Sequence, residues 1–182
     1  MADFPCYVSY FFLILLLSPC LQPHRSNMES QFMQEAIAMA VANVESGRGG
    51  PFAALVVHEG KIIARGTNRV TTAHDPTAHA EIVAIRAACE ALSDFQLTGC
   101  DLYTTCEPCP MCMGAVYWAG IDRVYYASTR EDAERIGFKD AHIYEELQRP
   151  PHDRRIPMIP LLRQEAQRAF HAWETYEKRI DY

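Results

Sequence analysis

Two short stretches of this chain, His79-Ala80-Glu81 and Pro108-Cys109-Pro110-Met111-Cys112, hold an imidazole, two thiols and a carboxylate within reach of joint chemistry. An imidazole nitrogen and two thiolate sulfurs suit zinc, and a site that stops at three protein ligands keeps its fourth tetrahedral position for water. Zinc makes water nucleophilic near neutral pH, and a carboxylate that does not bind the metal is free to take and return the proton. The ligand set is therefore His79, Cys109 and Cys112, with Glu81 as the expected acid–base group. Cys106 lies close by, but a fourth protein ligand would displace the water, so a packing or supporting role is expected for it.

Other readings of these residues stand beside this one. Cys109 and Cys112 could be buried thiols or a redox pair, and Glu81 could stabilise only its own helix start through the dipole. A structural zinc in a binding protein would close the fourth position with protein. The pairing of His-x-Glu upstream with Pro-Cys-x-x-Cys downstream favours hydrolytic deamination of a nucleobase, the reaction that uses this ligand set and spare carboxylate.

The pattern of the chain supplies elements to position these groups. Phe32, Met33, Ala36, Ile37, Ala40 and Val44 recur at helical spacing. A hairpin follows, with strands over 52–57 and 62–66 and a turn at Glu59-Gly60. A polar loop leads to a helix over about 78–92, which puts His79 and Glu81 in its first turn. A strand over 101–105 feeds a second helix that starts near Pro110, a position where proline is tolerated because its missing N–H would have no partner. There Cys109 and Cys112 face one side, and the helix N-terminus favours anionic sulfur. A strand over 123–127, short helices near 131–136 and 141–147, a last strand within 156–162 and a closing helix faced by Ala166, Ala169, Phe170, Trp173 and Tyr176 complete the order. This predicts an α/β fold: a three-layer α/β/α sandwich with a mixed five-stranded sheet.

Composition bounds the partners. A chain of 182 residues builds one core. The run Tyr10–Leu17 is apolar but shorter than the roughly 20 residues a spanning helix needs, so no stable membrane span is expected. It also lacks a basic flank and a good cleavage site, and residues 1–27 are expected to lie outside a domain spanning 28–182. Lys and Arg number 17 against 23 Asp and Glu, a net charge of −6. That balance argues against a broad nucleic-acid surface and for a small-molecule substrate. Seven cysteines, three of them crowded at 106–112, read as metal chemistry in a reducing compartment, with the cytoplasm as the expected location.

In Gly49-Gly50-Pro51-Phe52, Asn68, Asp75-Pro76-Thr77-Ala78-His79-Ala80-Glu81, Cys106 to Cys112, Tyr117-Trp118, Gly137-Phe138-Lys139-Asp140 and the closing Asp181-Tyr182, the chain resembles the cytidine deaminase-like superfamily. Within it, it looks like the guanine deaminases of the bacterial type. The resemblance implies one zinc per chain and hydrolysis of guanine to xanthine and ammonia in purine catabolism. It also implies a purine-base pocket of Phe52, Asn68, His79, Trp118, Asp140 and Tyr182, and a homodimer that exchanges the segment 156–182. The alternative is a tRNA-specific adenosine deaminase, disfavoured because the final helix mixes Glu165, Glu174 and Glu177 with its basic residues and the domain is acidic.

Overall fold

The computed structural model describes residues 22–181, with side chains from Asn27 onward; residues 1–21 and Tyr182 lie outside them. A long helix α1 (Gln22–Glu45) opens the fold, followed by the hairpin β1 (Ala53–His58) and β2 (Lys61–Thr67). A one-turn helix α2 (Val70–Ala73) leads to α3 (Ala80–Leu92), then β3 (Cys100–Cys106), α4 (Pro110–Trp118) and β4 (Arg123–Ser128). Two short helices, α5 (Arg130–Arg135) and α6 (Ala141–Gln148), and the closing α7 (Arg163–Glu174) end the chain.

The sheet runs β2-β1-β3-β4. β1 is antiparallel to both β2 and β3, while β3 and β4 are parallel, a pairing that requires a crossover and receives one in α4. The hairpin turns at Glu59 and Gly60, both with positive φ, the geometry that matches strand twist in two-residue turns. β1 reads as an unbroken apolar run because both of its faces are covered. Ala54 and Val56 pack with Ala84, Ile85 and Ala88 of α3 and Val116 of α4. Leu55 and Val57 point the other way, to Ala36 of α1 and Tyr103. The layers are thus α1, sheet, and α3 with α4.

The expectation of five strands is corrected to four among the described residues. Residues 156–162 form no strand, and every one is exposed. Pro157 and Pro160 explain this: each removes a backbone donor from a segment that would need a continuous ladder. The inner face of α1 also differs. Ile37 and Val44 are about half exposed (44% and 49%), whereas Asn43 is fully buried. Its Nδ2 donates to Gly50 O at 3.0 Å and to Asn68 O at 2.9 Å, tying the end of α1 to the loop and strand end beside the site.

Helix α3 crosses the sheet at Gly66, where an added Cβ would fall 2.2 Å from Ala80 O and 2.6 Å from Ala84 N. Backbone on both sides cannot yield cheaply. Gly66→Ala is therefore expected to lower stability by about 1–3 kcal/mol, read as a lower urea midpoint of the zinc-loaded protein with an unchanged slope.

Candidate active site

His79 is the residue before the first turn of α3, and Cys109 holds the same place at α4. Such positions usually carry Ser, Thr, Asp or Asn to cap the free N–H groups, yet neither side chain caps its helix here. Both are directed at a common point instead. Pro110 opens α4, and Cys112 follows one turn into the helix with no exposed surface. Cys109 Sγ and Cys112 Sγ each lie 3.6 Å from His79 Nδ1, and the three ligand atoms all fall within 4.8 Å of one another.

That spacing tests the donor set against zinc. Bonds of about 2.3 Å to sulfur and about 2.05 Å to nitrogen at tetrahedral angles separate the two donors by about 3.6 Å, the distance found. The electrostatics suit a cation as well. The Cys109 thiol is lowered to about 4, first by a hydrogen bond from Cys112 and then by His79, against the effect of burial. His79 is raised, chiefly by its hydrogen bond with Cys109, and Cys112, which keeps the proton it shares with Cys109, is pushed up. Two sulfurs at the N-terminus of α4 share one proton, and the imidazole at the N-terminus of α3 faces them, a donor set that suits a metal ion.

Glu81 sits two residues after His79 in the first turn of α3, buried to 6% exposure. Thr104 Oγ1 donates to its Oε1 at 3.1 Å and Cys112 Sγ to its Oε2 at 3.5 Å. Burial raises its pKa, and the negative Cys109 adds to the shift, while Thr104 and His79 oppose it. Cys106 is not in the ligand group. Its Sγ donates to Thr129 O at 3.5 Å, and burial pushes its thiol up to about 11, which suits a neutral packing residue.

A cavity of about 650 Å³ opens over these groups and is walled by Phe52, Asn68, His79, Glu81, Cys109 and Asp140, among others. Phe52 meets Phe138 edge to face at 4.7 Å between ring centroids. Asn68, which lines the cavity, accepts at its Oδ1 from Gly50 N at 3.4 Å and Val70 N at 3.3 Å. Asp140 precedes α6 without capping it, and burial raises its pKa. Trp118 does not wall the cavity within a single chain; it is exposed on α4. Tyr182 lies outside the described residues.

Residues 26–128 match the cytidine and deoxycytidylate deaminase zinc-binding region. The chain belongs to the cytidine and deoxycytidylate deaminase family. As in that family, the zinc site here is His79, Cys109 and Cys112, one ion per chain, and the protein is a zinc-dependent aminohydrolase. Among relatives, guanine deaminase of Bacillus subtilis (strain 168) is 47% identical over 151 residues, 83% of this chain and 97% of its own. The crystal structure of guanine deaminase from Bacillus subtilis superposes with a TM-score of 0.82 at 46% identity, covering 84% of this chain and 98% of that one. A tRNA-specific adenosine deaminase of Agrobacterium fabrum is also 47% identical, but over 95 residues, 50% of this chain and 62% of its own.

Sequence reasoning missed Thr104, Asn43 and Phe138 as parts of this deaminase site. Thr104 and Asn43 act through buried hydrogen bonds to groups distant in the chain, a relation with no local pattern. Phe138 had a signal, because it stands between Gly137 and Asp140. For the metal, Cys112→Ser is expected to reduce zinc well below one per chain, while Cys106→Ser retains about one, measured by elemental analysis of purified protein. Loss of zinc from the Cys106 variant would make Cys106 a ligand.

Proposed function

We propose that the site deaminates guanine: guanine and water give xanthine and ammonia, within purine catabolism. The observation that carries this reading is the reach of the likeness to the Bacillus subtilis guanine deaminase. It covers 84% of the chain, whereas the family region ends at residue 128 and the tRNA-specific deaminase matches half of the chain. Phe138 and Asp140 lie beyond residue 128. An acidic domain and a cavity of about 650 Å³ also suit a small base better than a structured nucleic acid.

On this reading the base enters flat against Phe52, with Phe138 edge-on to that ring. The Asn68 NH2 donates to an acceptor on the ring edge, and the Asp140 carboxylate accepts from a ring or amino N–H. Zinc, when bound by His79, Cys109 and Cys112, supplies the Lewis acidity that lets water act as a nucleophile at neutral pH. Glu81 takes a proton from that water as oxygen bonds to the carbon bearing the amino group, and passes it to the adjacent ring nitrogen. It then moves the hydroxyl proton to the amino nitrogen, the carbon–nitrogen bond breaks, and ammonia leaves. Burial raises the pKa of Glu81, the direction that favours return of the proton it takes up.

The working unit we infer is residues 28–182, a homodimer in the cytoplasm that exchanges the C-terminal segment. Support comes from residues 155–181, all exposed in a single chain, with Phe170, Trp173 and Tyr176 on one side of α7 and its end. Such apolar surface is normally covered. The exposed Trp118 and the terminal Tyr182 are proposed to join the pocket where two chains meet. No helix among the described residues is long and apolar enough to cross a membrane.

Ammonia release from guanine, adenine, cytosine, guanosine and an adenosine-containing tRNA, assayed in parallel, should be largest with guanine; tRNA as the sole substrate would reverse the assignment. Glu81→Gln should lower kcat by more than about 10²-fold while about one zinc per chain remains, and normal turnover would remove Glu81 from proton transfer. Deleting Tyr182 should lower guanine turnover with zinc retained, and an unchanged rate would take that residue out of the pocket.

A further inference from the structure

Phe138 and Asp140 stand on a wall with little core of its own. Between Thr129 and Gln148, the stretch that contains α5 and α6, Ala133 is the one buried residue. Apart from the Phe52–Phe138 ring contact, the anchors of this wall include a group of polar contacts that converges on the loop just before Cys109. Arg130 Nη2 lies 2.9 Å from Glu107 Oε1, and Arg130 N donates to Glu107 Oε2 at 3.3 Å. The same guanidinium lies over the Tyr144 ring, 4.8 Å from its centroid, and Tyr144 OH donates to Pro108 O at 3.0 Å.

We propose that Glu107, Arg130 and Tyr144 form a brace that fixes the distance between the zinc-ligand loop and the wall that recognises the base, with Arg130 as its central positioning residue. The inference rests on the purine reading of Phe138 and Asp140. Glu107 and Pro108 immediately precede Cys109 in the chain, Arg130 opens α5, and Tyr144 lies in α6, which starts directly after Asp140, so the four contacts tie the zinc-ligand loop to the elements on either side of Phe138 and Asp140. Arginine suits the task because its planar fork can pair with a carboxylate while its face stacks on a ring. The zinc ligands have support besides this brace, since α3 and α4, which carry them at their starts, pack into the core on the far side of the sheet from α1. Loosening it therefore weakens base binding and leaves the metal and the proton carrier in place.

Arg130 also borders the cavity itself, so a direct contact with substrate is the competing account. Tyr144 does not border it, and that difference makes the two separable. The test uses the full zinc-loaded chain and the variants Arg130→Ala, Arg130→Lys, Tyr144→Phe and the Arg130→Ala/Tyr144→Phe double. The brace predicts that Arg130→Ala raises KM for guanine about fivefold to tenfold with kcat within about twofold, and that the double variant is little worse than Arg130→Ala alone. Arg130→Lys should fail to restore KM. A double variant whose KM rises by the product of the two single effects would assign Arg130 to the substrate and overturn the brace.

A second readout needs no substrate. Amide hydrogen exchange in residues 137–148 should quicken in both Arg130→Ala and Tyr144→Phe, while residues 80–92 keep their protection. Unchanged exchange in residues 137–148 overturns the brace. Should the parent protein prove inactive on guanine, the exchange result still decides the brace, and the failure then belongs to the assigned substrate alone.

Discussion

Two helices that end nose to nose set the terms for the rest of this molecule. Each N-terminus presents free N–H groups and the positive end of a dipole, and the side chains at those two ends are an imidazole and a thiol in place of capping oxygens. That choice leaves the termini to stabilise anionic sulfur, and it brings His79, Cys109 and Cys112 to the spacing a tetrahedral zinc requires. The fold around them works to keep those ends together. α3 and α4 share one face of the sheet with Ala54, Val56 and Leu102, and Gly66 lets α3 approach the sheet at backbone distance.

The proton chemistry proposed for Glu81 follows from burial rather than from an unusual residue. Glu81 is an ordinary carboxyl taken out of water, held by Thr104 from the neighbouring strand and set beside the negative Cys109. Desolvation disfavours its charge, and the hydrogen bond and His79 favour it, which leaves a group that can hold a proton and release it. The pocket proposed to recognise the base is assembled differently. Asn68 is fixed by Gly50, Val70 and, through its backbone, Asn43, so one side of the pocket is rigid. Asp140 and Phe138 belong to a thinner wall, and its anchors are side chains rather than packed core.

Much of this was legible before any coordinates. The boundaries of α4 were expected from Pro110 onward, and those of α3 to within two residues, because apolar spacing and helix-start residues are local properties. The apolar run at 52–57 marked a strand, and the packing then showed that both of its faces are covered. The fifth strand was misjudged, since Ile156, Ile159, Leu161 and Leu162 look like a strand if hydrophobicity is counted alone, yet Pro157 and Pro160 break its ladder. The inner face of α1 was partly misassigned for a related reason: helical periodicity locates a stripe but not which edge of it meets the sheet, and a buried Asn43 carries no hydrophobic signal.

The ligand residues, the spare carboxylate and the hydrolytic chemistry were thus determined by the sequence itself, because metal-binding groups are scarce and their spacing at helix starts is read directly along the chain. Tertiary structure alone decided the four-stranded sheet, the support of Glu81 by Thr104, the locking of Asn68 by Asn43 and the pairing of Phe52 with Phe138. Each of these joins residues far apart in the chain through contacts that form only once helices and strands have packed, and such contacts leave no periodic trace in the order of the amino acids.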